Sequence, residues 1–337
     1  MMRLPPFAYR APETVKEAAR ILAAEGPQAM LIAGGTDLLP NMKRRQQEPK
    51  TLVSVRRIES MKRLANGAGL RLGPALTLAK VIEAPGVRER YRALWQAAAQ
   101  VATPQLRNTA TLGGNLCVDT RCGYYNQNQD WRQAIGFCVK TGGETCWMAT
   151  NGRRCFALSA SDCAPALIAL GAKVRLAAAA GERELALSDL YRNDGKQRLS
   201  CEAGEVLTEV ALPALEGWRS CYWKLRARGA FDFALLGVAA AVKAAPDGTV
   251  EEARLVLGGV ASRPMVISAG DVLGTKLSDE AIAKAAVRAV SAVTPQKTDL
   301  DLDWRKKIVT ACVGYALREL RGEDMSATRM KIARQAL

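Results

Sequence analysis

The chain has 337 residues, 49% of them apolar, and a formal net charge of +15. That length exceeds what one hydrophobic core serves, so two or three domains are expected, and the composition excludes a disordered chain. There is no histidine, which excludes Ser-His-Asp and Cys-His catalysis, the usual zinc enzymes, and haem or Rieske ligation through imidazole.

The opening "MMRLPPFAYRAPE" has no apolar signal core, and no apolar run reaches the roughly 18 residues of a membrane span. A cytoplasmic location without a membrane partner is therefore expected. Apolar residues at helical spacing in 12–26, with Pro12 early and Gly26 as a stop, predict a helix. "AMLIAGGTDLLP" (29–40) reads as a strand entering a glycine turn, and "KTLVSV" (50–55) as a second strand. Residues 70–84 predict a strand, a turn and a short helix. Residues 88–103 predict one amphipathic helix ending before Pro104. A cysteine-bearing loop follows "QLRNTATLGGNL", and regular structure resumes at 162–179. The strand in "GEVLTEVALPALEGW" (204–218) runs into a Pro/Gly linker at 213–218. Two apolar strand patterns, 219–244 and 250–264, are joined by "APDG", and two helical stretches lie near 278–293 and 302–321. Strands followed by helices suggest an α+β domain.

The positive charge is spread along the chain among 33 acidic residues, and no basic run is longer than "KRR" at 43–45. This pattern does not favour nucleic acid. It suits docking to partner subunits or a phosphate-bearing cofactor.

Three motifs carry chemistry. "AGGTDL" (33–38) follows an apolar strand; its glycines let backbone N–H groups approach a pyrophosphate, although a plain tight turn is the simpler alternative. "TATLGGNL" (109–116) repeats the device, and the two loops together could clasp one diphosphate. The third is a set of thiols. Cys122, Cys138, Cys146 and Cys155 are separated by 15, 7 and 8 residues. Nine cysteines in the chain are too dilute for a disulfide scaffold, and the tight pairs of a zinc ribbon are absent. Four thiolates can hold a [4Fe–4S] cluster, and a cluster would organise a long loop that has no apolar periodicity. Zinc or free buried thiols are the competing readings. Cys117 and Cys163 flank the loop as alternative ligands.

With these pieces in order, "AGGTDLLPNMKRR", "TPQLRNTATLGGNL", "SDCAPALIALGA" and "KLRARGAFDFALLGVAAAV" resemble the FAD-binding medium subunit of the xanthine dehydrogenase family of molybdenum hydroxylases. The resemblance runs over nearly the whole chain. The insert between "GGNL" and "SDCAPAL" resembles the [4Fe–4S] loop of the 4-hydroxybenzoyl-CoA reductase β subunit. The resemblance implies an α+β fold. An N-terminal FAD-binding subdomain (1–56) and a central one (57–214, with the cluster loop at 117–160) would be of α/β type, followed by a C-terminal α+β domain (218–325). It implies FAD contacts from Leu31, Ile32, Ala33, Gly34, Gly35, Thr36, Asp37 and Leu38, from Val101, and from Thr109, Ala110, Thr111, Leu112, Gly113, Gly114 and Asn115. The diphosphate would sit on Ala33–Asp37 and Thr111–Asn115. Asp162 matches an acidic position on the flavin side, and Leu207 and Lys224 match positions near the isoalloxazine. A Lys224 cation there would favour anionic reduced flavin; an ordinary solvated lysine is the plain alternative.

The chain would then be an electron-transfer subunit carrying FAD and a [4Fe–4S] cluster, with no catalytic residue for the substrate. Its partners would be a molybdenum subunit and a small [2Fe–2S] subunit. In the reductase reading, electrons from ferredoxin reach molybdenum and dehydroxylate 4-hydroxybenzoyl-CoA to benzoyl-CoA. The alternative is a molybdenum hydroxylase that oxidises an aldehyde or N-heterocycle. A more remote alternative is an iron–sulfur protein that binds nucleic acid.

Overall fold

A computed structural model describes residues 3–149, 152, 154–294 and 302–333. Residues 150, 151 and 153 of the cysteine loop, and 295–301 of the expected C-terminal domain, lie outside the described residues.

The N-terminal segment holds strands β1 (Ala8–Arg10), β2 (Ala29–Ile32) and β3 (Thr51–Ser54), and helices α1 (Val15–Glu25) and α2 (Leu38–Lys43). The three strands form a parallel sheet in the order β1-β3-β2. Helix α1 starts where Thr14 caps it by accepting from the N–H of Glu17, a device that stabilises a helix by about 1 kcal/mol. Its buried Ala18, Ala19 and Leu22 pack with Val53, Val55 and Val206.

The central segment contains β4 (Leu64–Asn66), β5 (Leu70–Leu72), α3 (Leu78–Glu83), α4 (Pro85–Arg90), α5 (Arg92–Ala99), α6 (Pro104–Arg107) and α7 (Leu112–Leu116). It continues with α8 (Gln129–Ala134), α9 (Cys163–Ala169), β6 (Lys173–Ala178), β7 (Gly181–Ala186) and β8 (Val206–Leu212). The sheet is antiparallel with order β4-β5-β8-β6-β7. The single helix expected over 88–103 is instead two. Tyr91 leaves the helical region (φ −125°, ψ 52°) between α4 and α5, and its hydroxyl donates to the Pro213 carbonyl at 2.9 Å. Burying that ring takes precedence over an unbroken helix.

The last segment contains β9 (Trp218–Leu225), β10 (Leu236–Ala244), β11 (Val250–Gly258), β12 (Met265–Ile267), α10 (Asp279–Ala289), α11 (Leu302–Arg321) and α12 (Ser326–Ala333). An antiparallel sheet, β12-β11-β10-β9, packs against α10 and α11 through a core that includes Trp223, Val238, Leu257, Ile282 and Val313. The stretch 219–244, one strand pattern in sequence, is a pair of strands around the loop at 226–235; both are apolar because both are buried. The fold is mixed, α+β, as expected. No helix among the described residues is long and apolar enough to cross a membrane.

Candidate functional site

The two glycine motifs meet. A Cβ built on Gly34 would lie 2.1 Å from the carbonyl oxygen of Thr109 and 3.1 Å from the Cα of Ala110. Real Cβ atoms do not approach backbone so closely, so only glycine permits this contact. Gly35 has φ 70°, a conformation that side-chain-bearing residues resist, and it turns the chain from β2 into α2. The N–H groups of Gly34, Gly35 and Thr36 have no acceptor among the described residues. These three residues line a cavity of about 740 Å³ that both motifs border, a size usual for cofactor sites.

The second motif is built differently. Leu112 N–H donates to Leu76 O at 2.9 Å, Gly113 N–H to Pro74 O at 2.8 Å, and Gly114 N–H to Thr111 Oγ1 at 3.1 Å. Most of its amides are therefore already used, and it forms a fixed wall, whereas the first motif offers three consecutive amides without an acceptor among the described residues. Asn115 ties this wall to α9: its Oδ1 accepts from Ser161 Oγ at 2.8 Å and from Cys163 N at 3.0 Å.

Leu31 through Leu38, Val101, Ala110, Thr111, Gly113, Gly114, Asn115, Asp162 and Leu207 all line the cavity. Thr109 supports Gly34 from behind, and Leu112 is buried in the central core. Lys224, expected near the flavin ring, is not on the cavity wall itself. It is 1% exposed, and its Nζ binds Asp162 Oδ2 at 2.8 Å and the Gln100 carbonyl at 3.0 Å. It sits behind the wall because Asp162, whose other oxygen accepts from Tyr222 at 2.9 Å, needs a counter-charge in the interior.

Sequence reasoning missed Arg198, Arg228, Phe231 and Phe233 on the cavity wall. Arg198 is held against the Cys117 and Val118 carbonyls at 2.9 and 3.1 Å. Its guanidinium lies 3.6 Å from Asp119. Its isolated position in sequence gave no signal. The two phenylalanines lie in the β9–β10 loop and are more than 40% exposed; the quoted stretch "KLRARGAFDFALLGVAAAV" contains them, but only its Lys224 was given a role.

The four loop thiols do not form a metal cage: among the described residues, no group of three or more Cys, Asp or Glu side chains could hold a metal ion. Burial raises Cys122 to about 11, with Cys138 adding to the rise. Burial likewise raises Cys155 to about 12, with Cys122 and Cys146 adding to it. These mutual effects connect all four. Two sulfurs receive backbone donors, Cys122 from Tyr125 N–H at 3.2 Å and Cys155 from Ala157 N–H at 3.5 Å, and such contacts favour a thiolate. Cys117 lies elsewhere, on the cavity wall beside Arg198, and Cys163 is sealed beside Asp162.

The sequence profile of the FAD binding domain in molybdopterin dehydrogenase matches residues 5–215, and that of the CO dehydrogenase flavoprotein C-terminal domain matches 221–320. The chain therefore belongs to the FAD-binding subunits of the molybdopterin dehydrogenase family. The aldehyde oxidoreductase FAD-binding subunit PaoB of Escherichia coli is 35% identical over 275 residues, 79% of this chain and 85% of that protein. The carbon monoxide dehydrogenase medium chain of Hydrogenophaga pseudoflava is 29% identical over 322 residues, 93% and 96% of the two chains. The structure of carbon monoxide dehydrogenase from the same organism superposes with a TM-score of 0.77 at 27% identity, covering 95% of this chain and 99% of that one. These relatives give no support to the 4-hydroxybenzoyl-CoA reductase relationship expected from the insert; they fit the hydroxylase alternative better.

Proposed function

We propose that this chain is the FAD-bearing electron-transfer subunit of a molybdenum hydroxylase that oxidises an aldehyde. The free N–H groups of Gly34, Gly35 and Thr36, held against Thr109, carry the flavin part of this reading. The cavity fits FAD by size and by its donors, and those groups with Arg198 would hold the diphosphate. Bound FAD would supply the exchange between two-electron and one-electron transfer. The chain's own part is to bind the cofactor and exclude water with the apolar cavity wall. The likeness to an aldehyde oxidoreductase subunit supports the substrate class. A large molybdenum subunit and a small [2Fe–2S] subunit are the partners this reading requires.

Cys122, Cys138, Cys146 and Cys155 would hold a [4Fe–4S] cluster, which would supply a one-electron site. The loop position of the four thiols and the backbone N–H donors to Cys122 and Cys155 support this reading, although no group able to hold a metal ion is found among the described residues. In an aldehyde oxidation, ferredoxin would take electrons from that site, the reverse of the donor role expected in the reductase reading.

Anaerobic purification of the assembled complex, followed by flavin, iron and sulfide analysis and assays with aldehydes and with 4-hydroxybenzoyl-CoA, tests the reading. One FAD, about four irons on this chain and aldehyde oxidation are expected. Turnover of 4-hydroxybenzoyl-CoA instead would overturn the substrate assignment, and a flavin-free complex the whole reading.

A further inference from the structure

The cysteine loop makes its tertiary hydrogen bonds chiefly to two neighbours, the segment 193–198 and the segment 37–47 that leaves the first glycine motif. Arg121, the residue before Cys122, donates through Nη2 to Asp37 and through Nη1 to Asn41 Oδ1 at 3.0 Å. Asn41 in turn donates to the second Asp37 oxygen at 2.9 Å, closing a three-residue ring. Arg132, on α8, donates to the Arg44 and Arg45 carbonyls at 2.6 and 3.0 Å, where α2 ends. A cation on those carbonyls is a favourable helix terminus. Gln46 donates to the Tyr125 carbonyl, and Gln47 to Asp119 Oδ2 at 3.2 Å. Helix α2 thus has its start and its end fastened to the cysteine loop.

Arg121 is itself fixed. Its backbone pairs with Leu158 through two 2.8 Å hydrogen bonds that join the two ends of the loop. Its guanidinium lies 4.9 Å from the Phe233 ring centre. One side chain therefore touches the first glycine motif through Asp37, the loop that carries the thiols, and the β9–β10 loop. Asp37 and Phe233 line the cavity, whereas Cys122, Cys138, Cys146 and Cys155 do not.

We infer that the cysteine loop is a strut for the flavin cavity, with Arg121 as the positioning residue that joins them, so that FAD affinity and the order of the four thiols are coupled. Free N–H donors at Gly34–Thr36 bind well only when α2 holds the turn in place, and α2 is held by the loop. Coupling between two sites is reciprocal: FAD binding orders the loop, and an ordered loop tightens FAD. The inference rests on the FAD-binding assignment and not on the iron–sulfur reading.

The test uses the full chain freed of metal. The rate of alkylation by iodoacetamide is followed at each cysteine by mass spectrometry, with and without saturating FAD. FAD is expected to slow alkylation of Cys122, Cys138, Cys146 and Cys155 about tenfold, within the usual range of inter-site coupling, although it covers none of them. Cys312, in the C-terminal core, reports global opening; equal slowing there, or no slowing in the loop, overturns the inference. In Arg121→Gln the FAD dissociation constant is expected to rise about tenfold and the loop protection to fall below about twofold, with partial rescue by Arg121→Lys. Full protection in a folded Arg121→Gln chain also overturns it. The unsubstituted chain decides the question by itself if the variants do not fold.

Discussion

Gly34 stands directly against the carbonyl of Thr109, 75 residues further along the chain, with 2.1 Å between that oxygen and the place a Cβ would occupy. Gly34→Ala must push the two motifs apart, and it moves the free N–H groups of Gly35 and Thr36 with them. Overpacking of this kind costs about 1–3 kcal/mol. The variant should bind FAD at least about tenfold more weakly, measured by fluorescence on reconstitution, and should melt lower. Wild-type affinity would mean that the contact does not shape the site.

The Asp162–Lys224 pair makes a second prediction. Both side chains are at most 5% exposed, and the pair is completed by Tyr222 and the Gln100 carbonyl. Removing one partner of a buried pair leaves an uncompensated charge and costs about 3–5 kcal/mol. Lys224→Met should therefore lower stability by that amount in urea unfolding, and adding Asp162→Asn should recover part of it. A loss under about 1 kcal/mol in the single variant would be incompatible with a formed buried pair.

Much of the site was legible because its residues act through local backbone. "AGGTDL" and "TATLGGNL" announce turns by composition, and two such turns in a chain of mixed elements pointed to a shared ligand. The thiols were legible as a local excess of one residue type. What stayed hidden depends on partners distant in sequence. Lys224 reads as a strand-end lysine until Asp162 is seen 2.8 Å away. Arg121 and Arg198 are ordinary arginines until their acceptors are known. Tyr91 breaks a helix that its own periodicity supports, because its hydroxyl finds Pro213. The split of labour between the two glycine motifs was also invisible, since it lies in which N–H groups other carbonyls have already taken.

Asp119 gives the loop a dependence on acid. Burial acts to raise its carboxyl, but Lys140 and Arg198, with the Tyr125 hydroxyl, outweigh that and hold it below the ordinary carboxylate range. A depressed carboxylate stabilises the fold fully above its unfolded value of about 3.9, and that contribution is lost as pH falls through the lower folded value. The chain should keep this stabilisation at pH 5 and lose it toward pH 3. Asp119→Asn should be less stable by about 3–5 kcal/mol at pH 7, because Lys140 is left buried and unpaired. It should also show a smaller loss between pH 5 and pH 3. Urea midpoints measured across that range check both statements.

The last prediction separates the four loop thiols from their neighbours. Cys117 shares the cavity wall with Cys201 and Arg198, and Cys163 opens α9 beside Asp162. By contrast, Cys155 is influenced by Cys122 and Cys146, and Cys122 by Cys138. Serine at position 138 removes a thiolate from the second set only. Cys138→Ser should therefore lower iron from about four per chain to less than about one, while flavin still binds at saturating FAD. Cys117→Ser and Cys163→Ser should keep the full iron content, since neither sulfur is within the group. Burial keeps Cys122 and Cys155 protonated when metal is absent, raised to about 11 and about 12, so loading the cluster must release protons. Reconstitution should therefore proceed faster at pH 8.5 than at pH 6.5. Iron lost from Cys117→Ser and retained in Cys138→Ser would reassign the ligands and move the cluster to the flavin wall.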